Sequence, residues 1–508
     1  MGGRIWVDVE DMFIYTDSGF NRPTGIQRLA FELCRAMHEL QGRAGMVQFL
    51  RQDPVRASFT AIPFADLENL FERWSTPQPP VTDGAAAVDG STPMPPQGPA
   101  AMAARRMLYR LPVRVRKPLT RFAKLQLQAL GAFGDLTVNT ASLLPGAARR
   151  TIRLARRMMD RPPAGDPAGL AAEAPAMPSL IAQSDECLHF SRDSRAGDIL
   201  FTVGAGWFHP DYPGLVRRAC ADHGLRYALL VYDIIPLRRP EWCDRPLVPA
   251  FRRWFEGLLP LCHIVLSISD ASAREVLAYA AERKITLPGG IRTIPIGTGF
   301  AKSSAAQTEI ATRAGTTRLP APGSYALFVS TIEARKNHTL LFRVWRHMLE
   351  QMPRDSVPTL VFAGRIGWLV ADLMQQIENA EHLGGKLVVV EHPTDAELEA
   401  LYRGCQFTLF PSLYEGWGLP VSESLAFGKP CIISGTTSLP EAGGALARYF
   451  DPEDVGDALR VIRATIEDPA GLAEWQARVV REFRPVQWEA TAQAVMDELL
   501  TPARIAAE

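Results

Sequence analysis

No stretch of this chain reaches the roughly 18 uninterrupted apolar residues that a membrane span requires. Net charge is missing too: 55 Lys and Arg balance 55 Asp and Glu, for a formal +0, so the whole molecule offers no field to draw in nucleic acid. Cysteine is sparse, odd in number and scattered, with seven at positions 34, 187, 220, 243, 262, 405 and 431. Without a close CxxC pair these exclude a disulfide framework or a zinc site and read as reduced, mostly buried thiols. The N-terminus, MGGRIWVDVEDMF, carries charges where a signal peptide needs an apolar run. No Asp-x-Asp motif stands at a strand end, so no metal is expected. The expected location is the cytoplasm, with attachment to the inner face of a membrane left open.

What the chain does have is length and apolar content. With 508 residues and 47% hydrophobic side chains it can build two cores of similar size. From about 325 to 435 short apolar runs alternate with amphipathic ones, the pattern of a parallel sheet covered by helices. YALFVST (325–331), TLVFAG (359–364), KLVVVE (386–391), QFTLFPS (406–412) and PCIIS (430–434) read as strands, with helices beginning near His338, Trp368, Asp395 and Pro420. The first half shows the same texture: RIWVDV (4–9), DILFTVG (198–204), RYALLVYD (226–233) and HIVLSIS (263–269) as strands, 27–40 and 271–283 as helices. Ligands of such sheets bind at the carboxyl ends of the strands.

One stretch breaks the texture. Residues 76–100 are rich in Pro, Ala and Gly and cannot hold a packed core. Two basic clusters follow, Arg105 to Arg121 and Arg149 to Arg157, interleaved with apolar residues such as Leu108, Tyr109, Ile152 and Met158. Cations with apolar neighbours can lie on anionic lipid. A solvated charged face on an inserted segment explains the same pattern, and Pro112 and Pro118 rule out one long straight helix there.

The chemistry concentrates in YEGWGLPVSESLAFGKPCIIS (414–434), where seven residues separate Glu415 from Glu423. Gly416 and Gly418 permit a tight turn whose backbone N–H groups can face a phosphate or a hydroxyl. Pro420 suits the first turn of a helix, which then points its positive end, from Leu419 onward, at the same place. Carboxylates repel a diphosphate but accept hydrogen bonds from vicinal hydroxyls, as in a sugar or a ribose. A solvated loop carboxylate and a helix-end charge are the alternative for the two glutamates taken alone.

Three other segments carry polar groups to strand or helix ends. RPTGIQR (22–28) opens a helix at Gly25, where free N–H groups could meet a phosphate, although Thr24 could simply cap it. STIEARKNH (330–338) places Arg335 and Lys336 after a strand, as cations for a leaving phosphate or as an exposed loop before a helix capped by Asn337. VYDIIPLRRPEWC (231–243) puts Tyr232 and Asp233 at a strand end. Ser267, Ser269, Gly364 and Arg365 are further candidates for a cleft wall.

Together these segments resemble the retaining GT-B glycosyltransferases of family 4, with their Glu-x7-Glu signature, and the likeness runs over about twenty consecutive residues at 414–434. TGIQR and TIEARKN resemble two further motifs of that family, and 231–243 resembles its HDxIPLxxPE segment with Tyr232 where the family has histidine. Where many members carry an earlier arginine this chain has Ser330 and Thr331.

The resemblance implies an α/β fold of the GT-B class, two Rossmann-like domains facing across a cleft, with a basic insertion in the N-terminal one. Residues 1–75 and 178–305 would form the acceptor domain, 76–177 the insertion, 306–480 the nucleotide-sugar domain, and 481–508 a helix returning to the first domain. It implies a nucleoside diphosphate sugar as donor and a glycan or lipid-linked acceptor, without a cofactor. Lys336, Arg335, Glu415 and Asp233 would carry the reaction; Gly25, Glu423, Gly416, Gly418, Leu419, Gly364 and Arg365 would bind the donor. Glu415 would hold the hexose and Glu423 the ribose. Analogy within the branch points to GDP-mannose. A sugar-nucleotide epimerase of the same architecture, or a nucleotide-binding component of a polysaccharide assembly complex without turnover, remain alternatives.

Overall fold

The computed structural model describes residues 3–17, 24–41, 45–53, 58–75, 188–299 and 319–501. The Pro/Ala-rich segment and both basic clusters lie outside them, and so does the expectation of lipid contact. The described residues build two parallel sheets covered by helices, the α/β architecture expected from the alternating pattern.

The first sheet has seven strands in the order β3-β2-β1-β4-β5-β6-β7. These are β1 (Ile5–Asp8), β2 (Val47–Asp53), β3 (Ser58–Ile62), β4 (Ile199–Thr202), β5 (Arg226–Val231), β6 (Ile264–Ser267) and β7 (Ile291–Thr293). Every pair is parallel except the edge pair β2 and β3. β1, β4 and β6 are buried along their whole length, and so read as unbroken apolar runs. Val7 stands beside Phe49 on one side and Phe201 on the other.

The second sheet has six strands in the order β10-β9-β8-β11-β12-β13. They are β8 (Tyr325–Val329), β9 (Thr359–Ala363), β10 (Leu387–Val390), β11 (Thr408–Phe410), β12 (Cys431–Ser434) and β13 (Ala447–Phe450), all parallel. Four strands were not expected from the sequence: β2, β3, β7 and β13. Each is partly exposed, so each mixes polar with apolar residues and lacks the continuous run that marked the others.

Two helices tie the chain together. The helix Gly25–Gln41 buries Leu29, Ala30, Leu33, Cys34, Ala36 and Met37, the i, i+3, i+4 spacing of one apolar stripe. The last helix, Trp488–Leu500, lies against it and adds Trp488, Ala492, Val495, Met496 and Leu499 to the core of the first sheet. Gly297 makes room for it, since a Cβ there would sit 2.3 Å from the Trp488 ring. The helix Trp488–Leu500 thus packs with the core of the first sheet. Among the described residues no helix is long and apolar enough to cross a membrane.

Candidate active site

The carboxyl ends of both sheets meet at the turn after β11. Gly416 is the contact point: a Cβ on it would lie 2.4 Å from the Tyr232 carbonyl oxygen and 3.2 Å from Asp233 Cβ, both just beyond β5 of the first sheet. The need for glycine at 416 is this close approach of two backbones. At Gly418 the need is conformational, because φ is +104° where the helix Leu419–Ala426 begins.

Glu415 is buried in this turn, and each of its carboxylate oxygens accepts a hydrogen bond from a cation. Its Oε1 accepts from Lys336 Nζ at 2.6 Å and its Oε2 from Arg335 Nη1 at 2.9 Å. Its backbone N–H donates to Thr437 Oγ1 at 3.0 Å, and its carbonyl accepts from Ser438 Oγ at 2.9 Å. Burial alone would raise its pKa, but the two cations outweigh burial and hold it down at about 2. Glu415 is therefore ionised at any working pH and is no proton carrier. Arg335 also donates to Glu333 Oε1 at 2.8 Å. Burial disfavours its charge, yet Glu415 and Glu333 more than compensate, so its pKa is raised. The cations expected to await phosphate are in this structure bonded to Glu415, and Glu333 joins them although nothing in its local sequence singles it out.

Two helix starts oppose each other nearby. Gly25 opens the helix Gly25–Gln41 in the first domain, and a Cβ built on it would lie 3.8 Å from Leu419 Cδ1 at the start of the helix Leu419–Ala426. The positive ends of both helices thus lie close together, although Pro420 has no N–H and the Val421 N–H donates to the Gly418 carbonyl at 2.9 Å. The Thr24 backbone N–H donates to Gln27 Oε1 at 3.2 Å, the half of a capping box in which the third helical residue reaches back. One turn further in, Arg28 Nη2 pairs with Asp395 at 2.9 Å and Nη1 lies 3.9 Å from Glu423. Glu423 Oε2 also accepts from Tyr402 OH at 2.9 Å. Burial raises the Glu423 pKa and Arg28 opposes that rise.

The first domain supplies the other wall. Asp233 accepts the Ile235 N–H at 3.0 Å; burial raises its pKa, against the pull of Arg335, while Glu415 adds to the rise. Asp233 hence feels Arg335, Glu415 and Lys336 of the second domain. Tyr232 donates its hydroxyl to the Val203 carbonyl at 2.6 Å, so its side chain is tied to the first sheet. Ser272 Oγ donates to the carbonyls of Tyr232 at 3.1 Å and Gly416 at 3.4 Å. Glu441 accepts the backbone N–H groups of Asp270 and Ala271 at 2.8 and 2.7 Å, a carboxylate at the start of a helix in the opposite domain.

Residues 316–481 match the family described as glycosyl transferases group 1. Those residues are about a third of the chain. Among curated proteins, O-antigen chain mannosyltransferase B of Escherichia coli is 27% identical over 273 residues, 53% of this chain and 68% of that one. The serotype-specific mannosyltransferase WbdA of Escherichia coli is 29% identical over 312 residues, 59% of this chain and 36% of that one. The chain thus spans little more than a third of that larger relative. Among solved structures, Anabaena HepE in complex with UDP aligns at 16% identity with a TM-score of 0.44, over 59% of this chain and 78% of that one.

The remaining expected residues fall into two groups. Gly364, at φ +154°, lies so close to the Ser330 carbonyl that a Cβ would be 1.9 Å from it; it lets the ends of β8 and β9 touch. Arg365 acts across the cleft on Tyr15 of the first domain. Ser269 caps the helix Asp270–Arg283 by accepting the Ser272 N–H at 3.0 Å, and Ser267 donates to the Ser269 carbonyl; both serve the fold. Asn337 does not cap the helix His338–Gln351 with its side chain. It adopts φ +60° and donates its amide to the carbonyls of Pro411 and Pro452, fixing the Lys336 loop against the loops after β11 and β13. Arg28 and Tyr402 escaped notice, although Arg28 follows Gly25 by three residues and so shares its helix face. Among the described residues no group of three or more His, Cys, Asp or Glu is placed to hold a metal ion.

Proposed function

We propose that the chain is a retaining glycosyltransferase of family 4 that moves a hexose from a nucleoside diphosphate sugar to a glycan or lipid-linked acceptor in cell-surface polysaccharide synthesis. The observation that carries this reading is the pair of opposed helix starts at Gly25 and Leu419, beside a turn that holds Lys336 on Glu415. Opposed helix N-termini favour a diphosphate, and a cation at the same turn favours the charge that grows on it as the glycosidic bond breaks.

In this reading the leaving phosphate departs with the bonding electron pair, and Lys336 and Arg335 neutralise it. Its oxygen takes the proton of the acceptor hydroxyl, which attacks from the same face, so the anomeric configuration is kept. A carboxylate offers about four lone-pair sites. The two cations engage each oxygen of Glu415 once, leaving lone pairs for hexose hydroxyls. Glu423, held between Arg28 and Tyr402, is the ribose acceptor. The two E. coli relatives named as mannosyltransferases support mannose, and GDP-mannose is the donor proposed. No metal is assigned a role, and the site of action is the cytoplasmic face of the membrane.

The test is a thermal-shift panel of nucleoside diphosphates and their sugars, followed by incubation of the best binder with and without acceptor extract. Stabilisation by GDP and GDP-mannose with acceptor-dependent release of GDP is the expected result. An epimerised sugar nucleotide formed without acceptor would favour the epimerase instead.

A further inference from the structure

The two cations at Glu415 are anchored unequally. Arg335 donates to Glu333 Oε1 at 2.8 Å, to Glu415 Oε2 at 2.9 Å and to the Tyr414 carbonyl. Glu333 is itself buried, so its carboxylate fixes the rigid guanidinium fork in one orientation. Among the described residues the Lys336 ammonium donates to one acceptor, Glu415 Oε1 at 2.6 Å. An ammonium carries three donors on a flexible four-carbon stem. Moving Lys336 therefore breaks one contact, where moving Arg335 breaks three.

A replacement donor for Glu415 is already in place. Ser412, just after β11, is wholly buried, and its hydroxyl makes no hydrogen bond. It still lies close enough to act on Glu415: burial raises the Glu415 pKa, Arg335 and Lys336 pull it down, and the Ser412 hydroxyl pulls the same way. A buried hydroxyl without a partner is costly, so a shift of Lys336 away from Glu415 would give that hydroxyl an acceptor. Arg335 stays behind and keeps the carboxylate charged. Oε1 is also an oxygen that a hexose hydroxyl has to share with the ammonium. A diphosphate carries more negative charge than one carboxylate, and charge-assisted bonds to it are strong enough to draw the ammonium across.

We propose that Lys336 is a specificity-determining residue: it occupies Glu415 until a diphosphate draws it off, so that the site grips a hexose only alongside a nucleoside diphosphate and discriminates against the free sugar. Ser412 then donates to Glu415 in its place, and Oε1 turns to the sugar. Recognition of hexose and of diphosphate becomes one coupled event. This rests on the glycosyl-transfer reading of the cleft.

The test is saturation-transfer NMR on the full chain with free mannose, glucose and galactose, each titrated alone and with saturating GDP or UDP. In the wild type at least one hexose is expected to bind about tenfold more tightly once a nucleotide is bound, and the nucleotide should gain the same factor from the hexose, because coupling between sites is reciprocal. In Lys336→Gln that hexose should bind without nucleotide about as tightly as it binds the wild type with it. Ser412→Ala, which keeps both cations, should lose part of the wild-type gain, and it covers the case in which Lys336→Gln does not fold. Hexose affinity indifferent to nucleotide in the wild type would overturn the proposal. So would a full gain that survives in either variant, or no hexose binding under any condition. Should that happen while a nucleotide still binds, the donor reading stands; if no nucleotide binds either, both fall.

Discussion

Lys336 Nζ donates to Glu415 Oε1 at 2.6 Å, while Arg335 holds the other carboxylate oxygen at 2.9 Å. Glu333 completes the group, so two buried acids face two cations. Removing one partner of such a set leaves charge uncompensated and costs roughly 3 kcal/mol. Glu415→Gln is expected to lower stability by about that much in urea unfolding and to abolish turnover.

The same residue fixes a pH dependence. Its folded pKa of about 2 lies below the ordinary 4.5, so the unfolded chain binds the proton more readily. The stabilisation is therefore complete above about pH 4.5 and lost as pH falls toward 2, by about 3 kcal/mol. Urea midpoints followed through that window should fall more steeply for wild type than for Glu415→Gln; parallel curves would refute the assignment.

Gly416→Ala tests the join between the sheets. The added Cβ would need the space 2.4 Å from the Tyr232 carbonyl, and backbone cannot swing aside as a side chain can. Misplacement of the reacting groups by about 1 Å costs on the order of a hundredfold in rate. A loss of that size in kcat, with an unchanged circular dichroism spectrum, is expected. Wild-type kinetics would show that the turn does not bear on the reaction.

Arg28→Ala should act on donor binding. Arg28 holds Asp395 and approaches Glu423 from the first domain, so its loss leaves the Glu423 carboxylate with Tyr402 and a less favourable field. Weakening of nucleotide binding by about tenfold in calorimetry is expected. An unaltered affinity would separate Glu423 from the donor.

Glu441→Ala removes the carboxylate that accepts from Asp270 and Ala271. Capping acceptors at helix starts contribute about 1 kcal/mol, here between domains. Small-angle scattering of the variant should show a larger radius of gyration without loss of helix content.

Much of this was legible in the sequence, for physical reasons that differ by element. Strands buried on both faces, such as β4 and β8, betray themselves as apolar runs; β7, with two of its three residues exposed, carries no such mark. Gly25, Glu415, Lys336 and Glu423 stood out because their chemistry is local: a turn, a helix start, a cation after a strand. What those groups bond to is not local. Glu415 finds its cations 79 and 80 residues away, and Gly416 is glycine because of Tyr232, far back in the chain. Glu333 is a loop acid that matters only because the fold buries it beside Arg335.

The most direct test of the central claim is proton NMR of the wild-type reaction with GDP-mannose and a neutral acceptor, repeated with Lys336→Ala. The account predicts an α-linked product from the α-linked donor, GDP released in equal amount, and loss of both signals in the variant. A β-linked product, or full activity without Lys336, would contradict it.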